Sequence, residues 1–445
     1  MAPRTRTPNA ALVRLMAEAG VGNAQLARKV NLAGTELGLR LHYDKSTVSH
    51  WLKGSVPKKE ARPAVIEALS RLLGRPVTYT EIGWGTSPGE RHDIAAGVME
   101  LSRTDMDPSR RSVLGAGLYS ATLLVPSFQE VLVGRAEAAQ AGRTVHIGDS
   151  DVETVRRMTD KVAEILDEIG AGHARPMAAA FLANTVGAYL KASGPERVRR
   201  DMRAAAADLV YLTGWMAMYE EQQGLGQRYY LKALKLAGEA EDHVTYCRAL
   251  RGMSLQAAHL GYGPKALELA DAAAEAAPAA GPRLVAFLRG QQAHASAMVG
   301  DRHGALARLR ETEVALARAD NRRDAVGGYD EAAYFFHEAH VRWRLGDGDG
   351  SIKSLRRSNA ARSPEERQGR LHCLGVIAER QFRMRHVEAA CATWNAFLDE
   401  HAALSSARGD QHLKTMRRSL PAYRSIGAVR ELEERARHVA ALKAA

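Results

Sequence analysis

Cysteine is scarce in this 445-residue chain: Cys247, Cys373 and Cys391 are odd in number and include no CxxC pair. That excludes a disulfide framework and suits a reducing compartment, so a cytoplasmic protein is expected. Aromatic residues make up only 6% of the chain; with abundant Ala, Leu and Arg, this favours helix over sheet. No run of about 18 apolar residues occurs, so no membrane span is expected. The opening M-A-P-R-T-R-T-P carries charge with no apolar stretch behind it and does not read as an export signal. G-x-x-x-x-G-K-[ST] and G-x-G-x-x-G are missing as well, so neither enzyme activity nor a cofactor is expected. His337-Glu338-Ala339-His340 has its histidines three apart, not the four of a helical zinc motif, and Asp347-Gly348-Asp349-Gly350-Ser351 lacks the glutamate that completes a calcium loop. No metal is expected from either.

Charge is present, and it is unevenly placed. The net charge is +11, and residues 1–80 hold 13 Lys and Arg against 5 Asp and Glu, so +8 sits in the first fifth of the chain. A small basic module on a nearly neutral body is the electrostatic footprint of a nucleic-acid binder. Within it, Asp44–Gly54 reads D-K-S-T-V-S-H-W-L-K-G. Val48, Trp51 and Leu52 fall at i, i+3 and i+4 and make an apolar seat, with Lys45, Ser46, Thr47, Ser49 and His50 opposite. Asp44 suits an N-cap and Gly54 a left-handed stop. The stretch fits a helix laid in the major groove, or an ordinary amphipathic surface helix.

A helix over Asn9–Ala19 and a second over Asn23–Val30, N-A-Q-L-A-R-K-V, precede this stretch, and a Pro/Lys loop and the helix A-V-I-E-A-L-S-R-L-L-G follow it. Together these resemble the Cro/repressor-type (XRE) helix-turn-helix regulators, and the wording around them resembles an actinobacterial, streptomycete-type group with a longer turn. The resemblance implies a five-helix, lambda-repressor-like domain over residues 1–83 that binds double-stranded DNA. Lys45, Ser46, Thr47, Ser49 and His50 would then read bases, while Asn23, Arg40, Lys53, Lys58, Lys59 and Arg62 would lie along the backbone. The segment between Val30 and Asp44 is longer than the family's usual turn; it either extends the second helix or forms a small wing.

Residues 84–150 read as a linker. Its apolar segment Val113–Val125 follows Ser109-Arg110-Arg111-Ser112, which is similar to a twin-arginine signal but internal, and is expected to be a connecting helix or a dimer contact. From residue 151 to the end the chain is helical and repetitive. Turns at Glu221, Gly261, Gly300, Gly346 and Met384 lie 40, 39, 46 and 38 residues apart. Offsets +5, +9 and +12 from them give Gly226, Tyr230 and Ala233; Ala266, Ala270 and Ala273; Ala305, Leu309 and Thr312; Ser351, Leu355 and Ser358; and Ala389, Thr393 and Ala396. Seven residues before the turns stand Gly214, Ser254, Ala293, Ala339 and, as an exception, Ile377. The spacing resembles tetratricopeptide (TPR) repeats in degenerate form, with helices near 151–169 and 174–192 as one cap and those after Gln411 as the other.

In TPR solenoids the first helix of each repeat lines a concave face. The corresponding offsets here give Tyr211, Trp215, Met218, Tyr219, Arg248, Arg251, His259, Phe287, His294, Met298, Phe336, His340, Trp343, Arg344, Gln381 and Phe382. Aromatic, basic and Met side chains together suit a peptide or an amphipathic anion; burial against a neighbouring helix, or against a second subunit of a homodimer, would use the same residues. The expectation is therefore an all-α, dimeric DNA-binding transcriptional regulator controlled through its repeats by a peptide, small molecule or protein partner. Its rival is a TPR scaffold whose N-terminal module grips a protein instead.

Overall fold

Apolar residues recurring every three to four positions form helices throughout the computed structural model, which describes residues 7–36, 39–84, 93–106, 119–120, 146–276, 281–319 and 329–444. Among these residues there is no β-strand, only an isolated bridge between His146 and Ser193. No described helix is long and apolar enough to cross a membrane.

The first unit contains α1 (Ala10–Glu18), α2 (Asn23–Glu36), α3 (Lys45–Leu52), a single 3-10 turn (Lys59–Ala61) and α4 (Arg62–Leu73). Four helices and a turn therefore stand where five helices were expected. Leu12, Leu15, Leu26, Val30, Val48, Trp51, Val65, Leu69 and Ile82 share one core. Asn9 caps α1 by accepting from Leu12 N and donates to Ile82 O at 3.0 Å, tying the two ends of the unit together. The long turn is resolved as a helix extension: α2 runs six residues past Val30 to Glu36. The returning strand of coil is held by Asn31, whose side-chain amide donates to Tyr43 O and accepts from Tyr43 N, both at 2.8 Å.

The expected linker contains α5 (Ile94–Met106), and this helix belongs to the body. Val98 and Leu101 enter the main core, and Asp105, 1% exposed, pairs with buried Arg175 and accepts from Tyr229 Oη at 3.1 Å. Of the apolar segment 113–125 only Tyr119 and Ser120 are described; a helix or dimer contact there lies outside the described residues. Gln227 exchanges two hydrogen bonds of 2.9 Å with Ser120. Arg71 of α4 donates to Tyr119 O at 2.7 Å, and Tyr119 stacks on Tyr262 at 5.5 Å, so this short segment joins the first unit to the body.

The body opens with α6 (Asp149–Ile169) and α7 (Ala171–Phe181), the latter continued by a π-turn over Leu182–Val186. Five helical hairpins follow: α8 (Glu196–Tyr219) with α9 (Gln223–Ala240), α10 (His243–His259) with α11 (Gly263–Glu275), α12 (Pro282–Met298) with α13 (Arg302–Ala317), α14 (Glu331–Arg344) with α15 (Gly348–Ala361), and α16 (Arg367–Arg383) with α17 (Val387–His401). The helices α18 (Ala407–Ser419) and α19 (Gly427–Ala444) close the chain. Each hairpin packs on the next.

The hairpin turns have left-handed backbone at Glu221, Gly261, Gly300, Gly346 and Arg385. In the first four hairpins every small or apolar residue expected at offsets −7, +5, +9 and +12 is buried. The last turn was placed one residue early: it is Arg385, not Met384. The helix crossing is accordingly made by Ala390, Trp394 and Phe397, each 0% exposed, and not by Ala389, Thr393 and Ala396. The small residue before the turn is Ala378, also 0% exposed, and Ile377 is no exception.

The superhelix returns on itself. Ser405 N donates to Ile169 O at 3.0 Å, Gly172 N to Ser405 O at 3.2 Å, and Ala407 N to Glu220 Oε1 at 3.2 Å. The start of the body thus meets the loop between α17 and α18, and much of the inner face, including Tyr211, Arg251, Phe287, His294 and His337, is buried.

Candidate functional site

The α3 helix begins on a strong cap. Asp44 accepts from the Thr47 backbone N–H at 2.8 Å and from the Ser46 and Thr47 hydroxyls at 2.9 Å. Those donors, the backbone one first, hold its carboxyl down to about 2. Because both hydroxyls donate inward, they turn lone pairs outward and present acceptors on the exposed side. Lys45, Ser46 and His50 are exposed, Thr47 and Ser49 half-buried, and Val48 and Trp51 form the seat, with Leu52 half-buried beside them. Gly54, at φ 93°, ends the helix as its position required.

Around this helix the cations divide into two sets. Arg71 pairs with Glu36 and Glu67, and Arg75 with Glu18 and Glu81. Arg40, Lys45, Lys53, Lys58 and Lys59 are exposed and make no ion pair among the described residues. Asn23, half-buried at the start of α2, reaches Lys45 O only at 3.5 Å. Arg62 is partly committed, its Nε donating to Pro57 O at 3.1 Å to hold the loop after α3.

The inner face of the hairpins is a mixture of the readings open to the sequence. Tyr211, Met218, Arg251, Phe287 and His294 are buried; Trp215, Tyr219, Arg248, Met298, Phe336, His340 and Trp343 are half-buried; His259 and Arg344 are exposed. Gln381, which leaves the inner-face register once the turn is Arg385, and Phe382, which stays in it, are buried too, Phe382 lying 5.8 Å from the Tyr423 ring. Arg248 is spent on Asp208 at 2.6 Å and on the Tyr211 ring, and His259 lies 3.6 Å from Glu221. Arg251 sits over Phe287 at 4.3 Å and Trp215 at 5.7 Å. His294 and His340 have ring centroids 4.8 Å apart, and Phe336 lies 4.5 Å from His340.

Sequence reasoning missed His337, Tyr329, Arg380, His372 and His412, which complete this face. Arg251 contacts His337 Nε2 at 3.3 Å, and His337 Nδ1 lies 2.9 Å from the Tyr329 hydroxyl. Arg380 donates to His340 Nδ1 and to Ala339 O, both at 3.1 Å, and lies 5.1 Å from Trp343. His372 Nδ1 is 2.9 Å from His412 Nε2, and His412 Nδ1 is 2.8 Å from Glu379. Correcting the last turn to Arg385 puts His372 in the register that marks the inner face; that is the signal which would have found it. Burial first, then neighbouring guanidiniums, holds His294 down to about 3, and burial likewise holds His337, His340 and His372 far below their ordinary range. No group of metal-ligating side chains occurs among the described residues.

No curated protein matches this chain. The family described as SP15 N-terminal domain matches residues 12–85, the span of the first unit from within α1 to just beyond α4.

Proposed function

We propose that the chain is a sequence-specific, dimeric DNA-binding regulator of the XRE type, controlled through TPR-like hairpins by a ligand on their inner face. The observation that carries this reading is the division of charge around α3. A capped eight-residue helix and its following loop carry Lys45, His50, Lys53, Lys58 and Lys59 outward, and no carboxylate among the described residues neutralises the lysines. Arg71 on α4 and Arg75 beyond it are matched with glutamates. Unmatched cations beside small polar groups suit a polyanion with readable edges better than a protein partner, which favours DNA over the scaffold reading.

Binding of the full-length chain to random duplex, followed by fluorescence anisotropy across a salt series, tests it. Affinity should fall steeply with salt, by about 0.9 in log–log slope per phosphate contact; no binding at low salt sinks the reading. Fragments selected from genomic DNA then provide a specific site. Lys45→Ala and His50→Ala should narrow the gap between specific and random DNA, each base contact supporting about 1–3 kcal/mol of discrimination. Lys58→Ala should weaken both alike and reduce the salt slope by about 1. Equal effects of all three on both DNAs would contradict these roles.

A further inference from the structure

Arg251 is 6% exposed and Arg380 5%, and neither has a carboxylate within ion-pair distance among the described residues. A buried guanidinium without an anion is among the least favourable arrangements in a folded chain, and it survives where hydrogen bonds or a bound anion oppose the charge. Arg380 has such bonds, to Ala339 O, Ser351 Oγ and His340 Nδ1. Arg251 has one hydrogen-bond partner, His337, and its Nε has none.

The hydrogen bonds fix which protons remain. Arginine only donates, so His337 accepts through Nε2 and carries its proton on Nδ1. That proton goes to the Tyr329 oxygen, leaving the Tyr329 hydroxyl hydrogen to be given elsewhere. Arg380 likewise makes His340 accept through Nδ1, so His340 carries a proton on Nε2, and that atom is buried without a partner. His294 Nδ1, beside it, is unpartnered as well. The enclosed face therefore offers unused N–H groups on Arg251 and His340, bounded by the flat faces of Trp215, Phe287, Phe336 and Trp343. Donors without acceptors, around a guanidinium that no carboxylate and only one hydrogen bond opposes, call for an anion; the aromatic walls call for a flat body.

The geometry points to this inner face as the binding site of a monoanionic ligand with a flat unsaturated body, an aromatic or conjugated carboxylate, with Arg251 as its counter-ion. The inference rests on the control role proposed for the hairpins and names the class of ligand that would exercise it.

The test is the thermal midpoint of the full-length protein, without DNA and at constant ionic strength, in rising benzoate, in neutral benzamide and in inorganic phosphate. Benzoate should raise the midpoint progressively, benzamide should leave it unchanged, and phosphate should act less than benzoate. Arg251→Met should remove the response and, by deleting a lone buried cation, leave the ligand-free midpoint equal or higher. Arg251→Lys should keep the charge and part of the response. No benzoate shift up to tens of millimolar, equal shifts with benzamide, or a lower ligand-free midpoint in Arg251→Met would overturn the assignment; phosphate matching benzoate would overturn the flat body. DNA affinity measured separately with and without benzoate keeps the two readings apart. A midpoint shift with no change in DNA binding leaves the anion site standing and removes its regulatory role, whereas a chain that binds DNA but ignores benzoate loses the anion site and leaves the DNA reading standing.

Discussion

Trp51 shows how much of the reading unit hangs on one side chain. It is 3% exposed, and Tyr43 meets it edge-on at 5.0 Å and 83°. Tyr43 is itself clamped by Asn31 of α2. The Trp51 ring therefore fastens α3 both to the core and to the segment that leads into it. Trp51→Ala should destabilise the first unit by about 3–5 kcal/mol, the cost of emptying an aromatic site in a packed core. In hydrogen exchange of the full-length chain, α2 and α3 should lose protection while α8 to α17 keep theirs; unchanged protection of α3 would contradict its docking through this ring. Trp51 was legible because its spacing from Val48 marks a buried stripe. Asn31 and Tyr43 were not, because a polar clamp across an extended turn leaves no periodic trace. Ser46 and Thr47 were legible as surface residues, but their commitment to Asp44 was not, and it makes them acceptors where free hydroxyls would offer both roles.

At the level of elements, the small residues that let two helices cross set the hairpin frame, and the turns at Glu221, Gly261, Gly300 and Gly346 stand where that frame puts them. It slipped in the last hairpin, whose turn is Arg385 at φ 63°. A left-handed arginine is unusual enough that sequence gives no cue to it, so the frame was set one residue early and the crossing was assigned to an exposed stripe. The corrected frame makes a direct prediction. Ala378 is 0% exposed at the crossing, whereas Ala389 is exposed. Ala378→Leu should overpack the crossing and cost about 1–3 kcal/mol, while Ala389→Leu should change the urea midpoint little. Reversed effects would restore the earlier frame. The α5 helix was misread as linker for a different reason. Its buried face runs from Ala95, Val98 and Leu101 into Ser102, Thr104 and Asp105, so its apolar stripe is short and gives way to polar residues in the last turn. Its anchor is the buried pair of Asp105 with Arg175, a contact between residues 70 positions apart.

Over the whole molecule, closure of the superhelix turns an inner face into an interior, and this explains why its histidines are neutral. His294, His337, His340 and His372 are held below the ordinary value of 6.5, burial being the largest cause in each. Around them stand Arg251, Arg344, Arg380 and Arg408, which oppose further positive charge; Glu379 is bound to His412, and Glu221 lies near His259 and Arg408. When pH falls below 6.5 the unfolded chain takes up protons on these imidazoles and the folded chain does not. Stability is therefore fully present above the unfolded value and is lost as pH falls from there toward the folded ones. For the two most deeply buried, His294 and His337, each contributes up to roughly 1.4 kcal/mol per pH unit. Asp167 acts in the opposite sense, since burial and then Glu366 push its carboxyl up to about 7, and burial raises Glu220 and Asp160 as well; three carboxyls against five imidazoles, His259 being lowered too, leave a net loss. The urea midpoint should drop between pH 7 and pH 5.5, before ordinary carboxylates titrate. His337→Gln, which keeps a neutral hydrogen-bonding side chain, should make that drop shallower. A midpoint flat across this range, or a slope that His337→Gln leaves unchanged, would mean that protons reach the inner face and that the closed turn opens at little cost.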